Sequence, residues 1–320
     1  MSIKRWVIPS LDKEAAAQLA EDCEINPFLA LLLVTRGITD AESAADFLLG
    51  GDISDDPFSF ADMDIAAERL LRAIDNREMI AVYGDYDADG VTATVLLYSY
   101  LREKGADVIY YIPERECEGY GLHKESIDKL DQQGVKLIVT VDNGVSAADE
   151  IDYAASKGIE VVVTDHHQPP NNLPKAVAVV NPHRVDCGSE FKDYAGVGVA
   201  FKLVCAMEGD TESVLERYGD LVALGTLGDV MPLTGENRTL VRAGLQILNQ
   251  NIRPGIQALR KLAGVDNKNL YSITTAFTLV PRLNAAGRMD TPDLAARLLM
   301  TNQKIVAVTL ASELQECNVR

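Results

Sequence analysis

Several features that would place the sequence in a large class are missing or scarce. Its five cysteines, Cys23, Cys117, Cys187, Cys205 and Cys317, include no CxxC pair. That argues against a zinc ribbon or a dithiol redox motif, and an odd count without close pairs suits a reducing compartment. No apolar run is long enough to cross a bilayer. The opening MSIKRWVIPSLDKEAAAQ lacks the apolar stretch and small-residue cleavage site of a secretory signal, so the expectation is a soluble, cytoplasmic protein with no membrane partner. There is no GxxxxGKS/T string, which removes the nucleotide-hydrolysing P-loop. Repeats and low-complexity tracts are absent. The single tryptophan, Trp6, carries no assigned chemistry.

Basic charge is also scarce. Against 30 Lys and Arg stand 48 Asp and Glu, a net charge of −18 over 320 residues. A nucleic-acid binder usually shows a basic footprint, so the total speaks against one. The distribution softens the objection. Residues 1–78 hold seven basic and sixteen acidic side chains, whereas residues 232–288 hold eight basic and only Glu236 and Asp266 as acids.

Residues 12–49 read as helical, with apolar residues at mixed three and four spacing. Gly50-Gly51 and the acidic stretch to Pro57 read as a linker or loop, and a helix is expected from Met63 to Asn76. The pattern then changes. Short β-branched runs, Met79–Tyr83, Val108–Ile112, Leu137–Val141, Glu160–Thr164 and Val177–Val180, alternate with helical stretches at Thr92–Lys104, Lys124–Gln133 and Ala147–Lys157. Alternation of this kind predicts an α/β fold with a mostly parallel sheet flanked by helices. After Pro182 the chain reads as mostly helical, with segments near 197–208, 212–227, 238–249, 254–263 and 293–300.

Three of the expected strands end in ligand-type residues, and ligand sites of open parallel sheets lie at the carboxyl ends of strands. Met79–Tyr83 runs into Asp85, Asp87 and Asp89; Leu137–Val141 into Asp142; Glu160–Thr164 into Asp165, His166 and His167. Asp229 is a fourth candidate. One aspartate after a strand is usually a turn or a helix cap. Three such endings in successive units are another matter. Carboxylates gathered at one sheet edge repel and raise each other's pKa unless a cation intervenes. Carboxylate-rich sites with one or two histidines and no thiolate favour Mn²⁺ or Mg²⁺ over zinc, and a pair of such ions suits phosphodiester or pyrophosphate hydrolysis. The string Asp85-x-Asp87-x-Asp89-Gly90 also matches the start of an EF-hand loop, but the twelfth position is Leu96, not Glu, and a strand precedes it. Other features stay open. Gly196-Val-Gly198-Val reads as a phosphate-cradling loop or as tight helix packing, and Tyr120 as a base-stacking platform or part of a plain turn. His123 and His183 lie outside the ligand clusters.

The strings VYGDYDADG, TVDNG, VTDHH and LGTLGDVMPL, in this order, resemble the four motifs of the DHH phosphoesterase superfamily. IPERECEGYGL (112–122), AGVGVAFKL (195–203) and PRLNAAGRM (281–289) resemble RecJ-type single-strand-specific DNA exonucleases in particular. The resemblance covers roughly residues 30 to 320. It implies that Asp87 and Asp142, helped by Asp85, hold one ion, that Asp89, Asp142, His166 and Asp229 hold the other, and that Asp142 bridges them. His167 would touch the scissile phosphate or leaving group, with Asp165 orienting the imidazoles. Arg115, Arg282 and Arg288 would contact DNA phosphates, and Asn284 would shape the same cleft.

The implied activity is 5′-to-3′ exonuclease action on single-stranded DNA in repair and recombination. A single-strand-binding protein and a RecQ-type helicase are further implied partners. Other superfamily substrates (short oligonucleotides, cyclic dinucleotides, pyrophosphate) and a non-catalytic scaffold are the alternatives. Two departures stand out: Tyr83 occupies a position where many members carry a His, and Gly228 one where Ala is commoner. The expected organisation is a helical region over 1–62, the DHH domain over 63–301, and the start of an interdomain helix over 302–320. The second lobe and oligonucleotide-binding fold of such enzymes would be absent.

Overall fold

The computed structural model describes residues 10–319 apart from 52, 54, 115–118, 251–252, 290 and 292. The chain begins with three short helices, α1 (Lys13–Asp22), α2 (Pro27–Val34) and α3 (Ala41–Leu49). Asp12, Asn26 and Asp40 cap them, each accepting a backbone amide of the first turn. Leu19, Ala30, Leu33 and Ala44 pack together as a small core of their own.

The expected alternation follows: α4 (Met63–Asp75), β1 (Ile80–Tyr83), α5 (Ala88–Glu103), β2 (Val108–Tyr111), α6 (Lys124–Gln132), β3 (Leu137–Val141), α7 (Ala148–Ser156), β4 (Glu160–Thr164) and β5 (Ala178–Val180). The five strands form one sheet in the order β2-β1-β3-β4-β5, with every pair parallel. Side chains alternate between its faces with period two. Ile80, Val82, Leu137 and Val139 enter the larger core on the α4–α5 side, whereas Ala81, Tyr83, Ile138 and Val163 join a second core beneath α6 and α7. This is the doubly wound arrangement the β-branched runs predict. Its order puts the switch point between β1 and β3, where the chain turns from winding one way to winding the other.

The rest is helical: α8 (Gly196–Glu208), α9 (Thr211–Gly228), α10 (Gly235–Gln250), α11 (Pro254–Leu262), α12 (Ser272–Thr274), α13 (Val280–Arg288), α14 (Asp293–Met300) and α15 (Lys304–Val319). α8 and α9 pack on α5, α10 lies along α9, and α15 lies against α11, α13 and α14.

Three sequence expectations need correction. The helix expected from Thr92 begins at Ala88, because Asp87 is its N-cap and accepts the Gly90 amide at 2.9 Å. Asp89 therefore sits in the first helical turn rather than in a loop. Residues 272–288, which showed no clear helical signal, form α12, a π turn (Thr275–Leu279) and α13. Pro281, which cannot donate a backbone hydrogen bond, stands just after the π turn. Of the two readings of the stretch to Pro57, linker or loop, the loop holds and the linker does not, for the stretch is tied down: Thr239 Oγ1 donates to Gly51 O at 3.0 Å and Lys202 Nζ to Asp55 O at 2.6 Å. Among the described residues no helix is long and apolar enough to cross a membrane.

Candidate metal centre

The carboxyl ends of β1, β3 and β4 bring Asp85, Asp142 and His166 to one place, and two helices complete the group. Asp87 and Asp89 come from the start of α5, Asp229 from the residue that ends α9. Among the described residues, three sets of ligand atoms lie close enough to share an ion: Asp85 with Asp87 and Asp142, Asp89 with His166 and Asp229, and Asp142 with His166 and His167; within each set the atoms lie within 4.8 Å of one another. Asp142 belongs to two of them. His166 Nε2 stands 3.1 Å from Asp142 Oδ1, 3.7 Å from Asp229 Oδ2 and 4.0 Å from Asp89 Oδ2.

The backbone is shaped for this convergence. Asp142 adopts φ +64°, a left-handed conformation uncommon outside glycine; the turn beyond β3 is anchored by Asn143 Nδ2 donating to Val141 O at 2.9 Å. Gly90 lies so close to Asp85 that a Cβ there would fall 2.7 Å from the Asp85 Cα. A side chain at Gly90 would push the two carboxylate-bearing turns apart.

The electrostatics of the site favour positive charge. Burial, and then the charges of Asp87 and Asp229, push Asp89 well above the ordinary carboxylate range. Asp142 is raised by burial and by Asp89. Asp229 is pushed up to about 6 by burial and then by Asp87. Burial, with the neighbouring His167, drops His166 to about 4, so its imidazole is neutral and free to ligate. Asp142 Oδ1 is buried with no hydrogen-bond donor among the described residues, and a carboxylate oxygen so placed calls for a cation. Oxygen donors with one or two imidazoles fit Mn²⁺ or Mg²⁺.

Asp165 plays a different part. Its Oδ1 accepts the amides of His166 and His167 at 2.8 and 3.0 Å and faces His167 Nδ1 at 2.7 Å, while Oδ2 accepts the Val145 amide at 2.9 Å. Burial alone would raise its pKa, but the His167 hydrogen bond and charge and the Val145 amide bring it below the usual value. Its hydrogen bond in turn raises His167. His167 is about half exposed and so faces outward beside the ligand cluster.

Tyr120 was legible as a base platform or a turn. Its hydroxyl lies 3.1 Å from both Asp142 O and His167 Nδ1, contacts the sequence did not signal. Asn181, at the carboxyl end of β5, was overlooked. Its Nδ2 donates to His167 O at 2.8 Å, and the strand-end rule that exposed the other residues could have found it. Among the described residues, His123 and His183 join none of the ligand groups.

The residues expected at nucleic acid divide. Arg115 lies outside the described residues. Arg288 is exposed and, with Asn284, lines an open cavity of about 720 Å³ that runs past Gly228 and Val230 beside Asp229 and is walled by Ile273, Phe277 and Met289. Asn284 also reaches the metal-ligand turn, its Oδ1 accepting the Ala88 amide at the start of α5 at 2.7 Å. Arg282 is engaged within the fold, with Nε on Gln315 Oε1 at 2.7 Å and Nη1 on Thr278 O at 2.5 Å. Much of the basic segment is spent the same way: Arg238 and Arg242 bond the carbonyls of Phe47 and Leu48, Arg253 pairs with Asp220, and Arg260 bonds Leu248 O. The positive count over 232–288 is therefore largely structural.

Comparison with known proteins agrees with this geometry. Residues 79–226 match the DHH family, N-terminal domain. The single-stranded-DNA-specific exonuclease RecJ of Bacillus subtilis (strain 168) is 42% identical over 315 residues, which is 98% of this chain and 40% of that protein. A crystal structure of exonuclease RecJ bound to manganese superposes with a TM-score of 0.73 at 37% identity, covering 82% of this chain and 66% of the other. RecJ from Thermus thermophilus in complex with Mn²⁺ gives a TM-score of 0.79 at 32% identity, covering 96% and 44% respectively. The chain spans about half the length of the curated relatives it matches. The parallel sheet, the shared acidic edge and these matches lead to one assignment: the chain belongs to the DHH family, on its RecJ-type branch.

Proposed function

We propose that this chain carries the metal-dependent phosphodiesterase centre of a single-strand-specific DNA exonuclease that digests from the 5′ end. The observation that carries the reading is the sharing of Asp142 between two ligand groups, one with Asp85 and Asp87 and one with the imidazoles, while Asp89, His166 and Asp229 form the third. In this reading Asp85, Asp87 and Asp142 hold one ion, and Asp89, Asp142, His166 and Asp229 the other, with Mn²⁺ or Mg²⁺ as the metal. Bound by these residues, a pair of such ions would supply Lewis-acid polarisation of a phosphodiester and a water acidic enough to give hydroxide near neutral pH.

The protein's own groups do the rest. The five carboxylates and the neutral His166 fix where the phosphodiester must lie. His167, held at Nδ1 by Asp165, presents its other nitrogen to the phosphate or leaving oxygen, and its raised pKa suits it to carry a proton there. Arg288 offers a planar, bidentate cation to a backbone phosphate on the wall of the neighbouring cavity. Ile273, Phe277 and Met289 supply apolar surface against which bases can rest. Relatives described as single-stranded-DNA-specific exonucleases support the substrate. The cytoplasm is the proposed location, residues 63–301 the proposed domain carrying the site, and a single-strand-binding protein and a RecQ-type helicase the proposed partners.

The test uses the 320-residue chain with end-labelled DNA. Mn²⁺-dependent release of nucleotides from the 5′ end of a long single strand, with a blunt duplex left intact, is the expected result. Hydrolysis confined to dinucleotides or pyrophosphate would replace this reading with that of a small-substrate phosphoesterase. No hydrolysis of any phosphodiester, with Mn²⁺ bound, would favour a scaffold.

A further inference from the structure

The AGVGVAFKL stretch is open in the sequence to two readings, a cradle for phosphate or plain helix packing, and its amides in fact hold a carboxylate. Gly196 N and Val197 N, at the start of α8, donate to Asp89 Oδ2 and Oδ1 at 2.6 and 2.9 Å. Gly196 also faces Asp142 so closely that a Cβ would fall 2.5 Å from Oδ1. Two residues earlier, the Tyr194 backbone faces the His166 imidazole and favours its protonated form. Four consecutive residues thus set the direction of Asp89 and the room left for Asp142, and border the His166 ring. With Nε2 turned to the carboxylates, the tautomer protonated at Nδ1 is the one that leaves Nε2 free to ligate.

Something must fix this turn, and the structure contains it. Lys202, further along α8, is completely buried. Its Nζ donates to Glu236 Oε1 at 2.8 Å and to Asp55 O at 2.6 Å. The Tyr194 hydroxyl lies between Glu236 Oε2 and Asp55 Oδ2, the latter at 2.9 Å. Ser189 Oγ holds Asp55 Oδ2 from the other side at 2.6 Å. The Tyr194 ring is wedged between Phe60 and Phe191. A buried ammonium–carboxylate pair adds little net stability, because desolvation offsets the attraction. What it supplies here is direction: elements far apart in sequence converge on one tyrosine, two residues before the amides that hold Asp89.

We propose that Lys202, Glu236 and Tyr194 form a positioning brace that sets the His166 and Asp89 geometry for metal binding without touching the ions. The inference rests on the metal reading given above. Two variants test it. Tyr194→Phe removes the hydroxyl and keeps the ring; Lys202→Met combined with Glu236→Gln removes the ion pair without stranding a charge. Each is expected to bind Mn²⁺ about tenfold more weakly or worse in calorimetry, the usual cost of losing an outer partner of a ligand, on protein whose metal-free melting shows it folded. Wild-type affinity in Tyr194→Phe overturns the brace. Should the unmutated chain take up no Mn²⁺, the metal reading itself fails, and imidazole ¹⁵N spectra of the metal-free protein decide the brace instead. One His166 tautomer in the parent and a mixture in both variants supports it; identical spectra in all three overturn it.

Discussion

His166 Nε2 and Asp142 Oδ1 stand 3.1 Å apart, although their residues leave different strands, β4 and β3. This is not an ordinary ion pair. Burial keeps the imidazole neutral and raises the carboxyl, so two electron-rich atoms face each other. A cation or a shared proton between them removes the cost.

Asp142→Asn is the sharpest consequence. Because Asp142 serves two ligand groups, the substitution is expected to reduce Mn²⁺ uptake from two ions to one at most and turnover to background. Calorimetric stoichiometry and a single-strand degradation assay measure both, and full activity with two ions bound would refute the bridge.

Metal affinity should fall as the pH drops through about 6. Asp229 is pushed up to about 6 by burial and then by Asp87. Between the ordinary carboxylate value and about 6, the folded metal-free chain keeps a proton that the unfolded chain has released. Asp229 therefore costs stability progressively as the pH rises through that window. A divalent ion relieves that cost but must displace the proton, so Asp229 by itself weakens the affinity by up to about tenfold per pH unit below 6. Titrations from about pH 5 to about pH 7.5 in buffers of different ionisation enthalpy report the displaced protons, and Asp229→Asn should make the dependence shallower by one proton while Asp89 and Asp142, also raised, keep their share. At about a hundredfold excess over its Kd, Mn²⁺ should add about 2.7 kcal/mol of stability, which EDTA removes.

Gly196→Ala is a steric test of the same centre. The new methyl would lie 2.5 Å from both Cβ and Oδ1 of Asp142. Either Asp142 or the start of α8 must shift, and Mn²⁺ binding should be lost in a chain that still folds. Unchanged affinity would mean that the turn is softer than its contacts indicate.

Two arginines in one motif should behave differently. Arg288→Ala is expected to weaken single-strand binding and lower the slope of log K against log salt by about 0.7, the share of one phosphate contact. Arg282→Ala, which loses its bonds to Gln315 and Thr278, should leave that slope alone and cost about 1–2 kcal/mol of stability. Fluorescence-anisotropy salt titrations and urea unfolding separate the two; the reverse pattern would exchange their roles.

Asn284→Ala removes the acceptor for the Ala88 amide and should cost about 1 kcal/mol in urea unfolding. Asn284→Asp keeps an oxygen there and should recover most of the loss. A neutral Asn284→Ala would show that the contact does not hold the start of α5.

Much of this was legible in the sequence, for local reasons. Leu137–Val141 and Glu160–Thr164 are strands at the residues their β-branched runs indicate. Because parallel strands present their carboxyl ends together, Asp85, Asp142 and His166 were readable as neighbours from strand endings alone. Composition excluded thiolate metal sites, and the donor types chose the metal class. The strand order was not written in any run of residues. Nor was the arrival of Asp229 from the end of α9, the capture of Asp89 by the amides of α8, or the engagement of Arg282 by Gln315. Each of these depends on where helices distant in sequence lie after packing. A side chain's hydrogen-bond partner is set by that path and by which groups burial leaves unsatisfied, not by spacing along the chain. Chemistry at the sheet edge was therefore legible from residue type and order, while the packed fold alone decided which carboxylates come within reach of one another and which arginines are engaged within the fold.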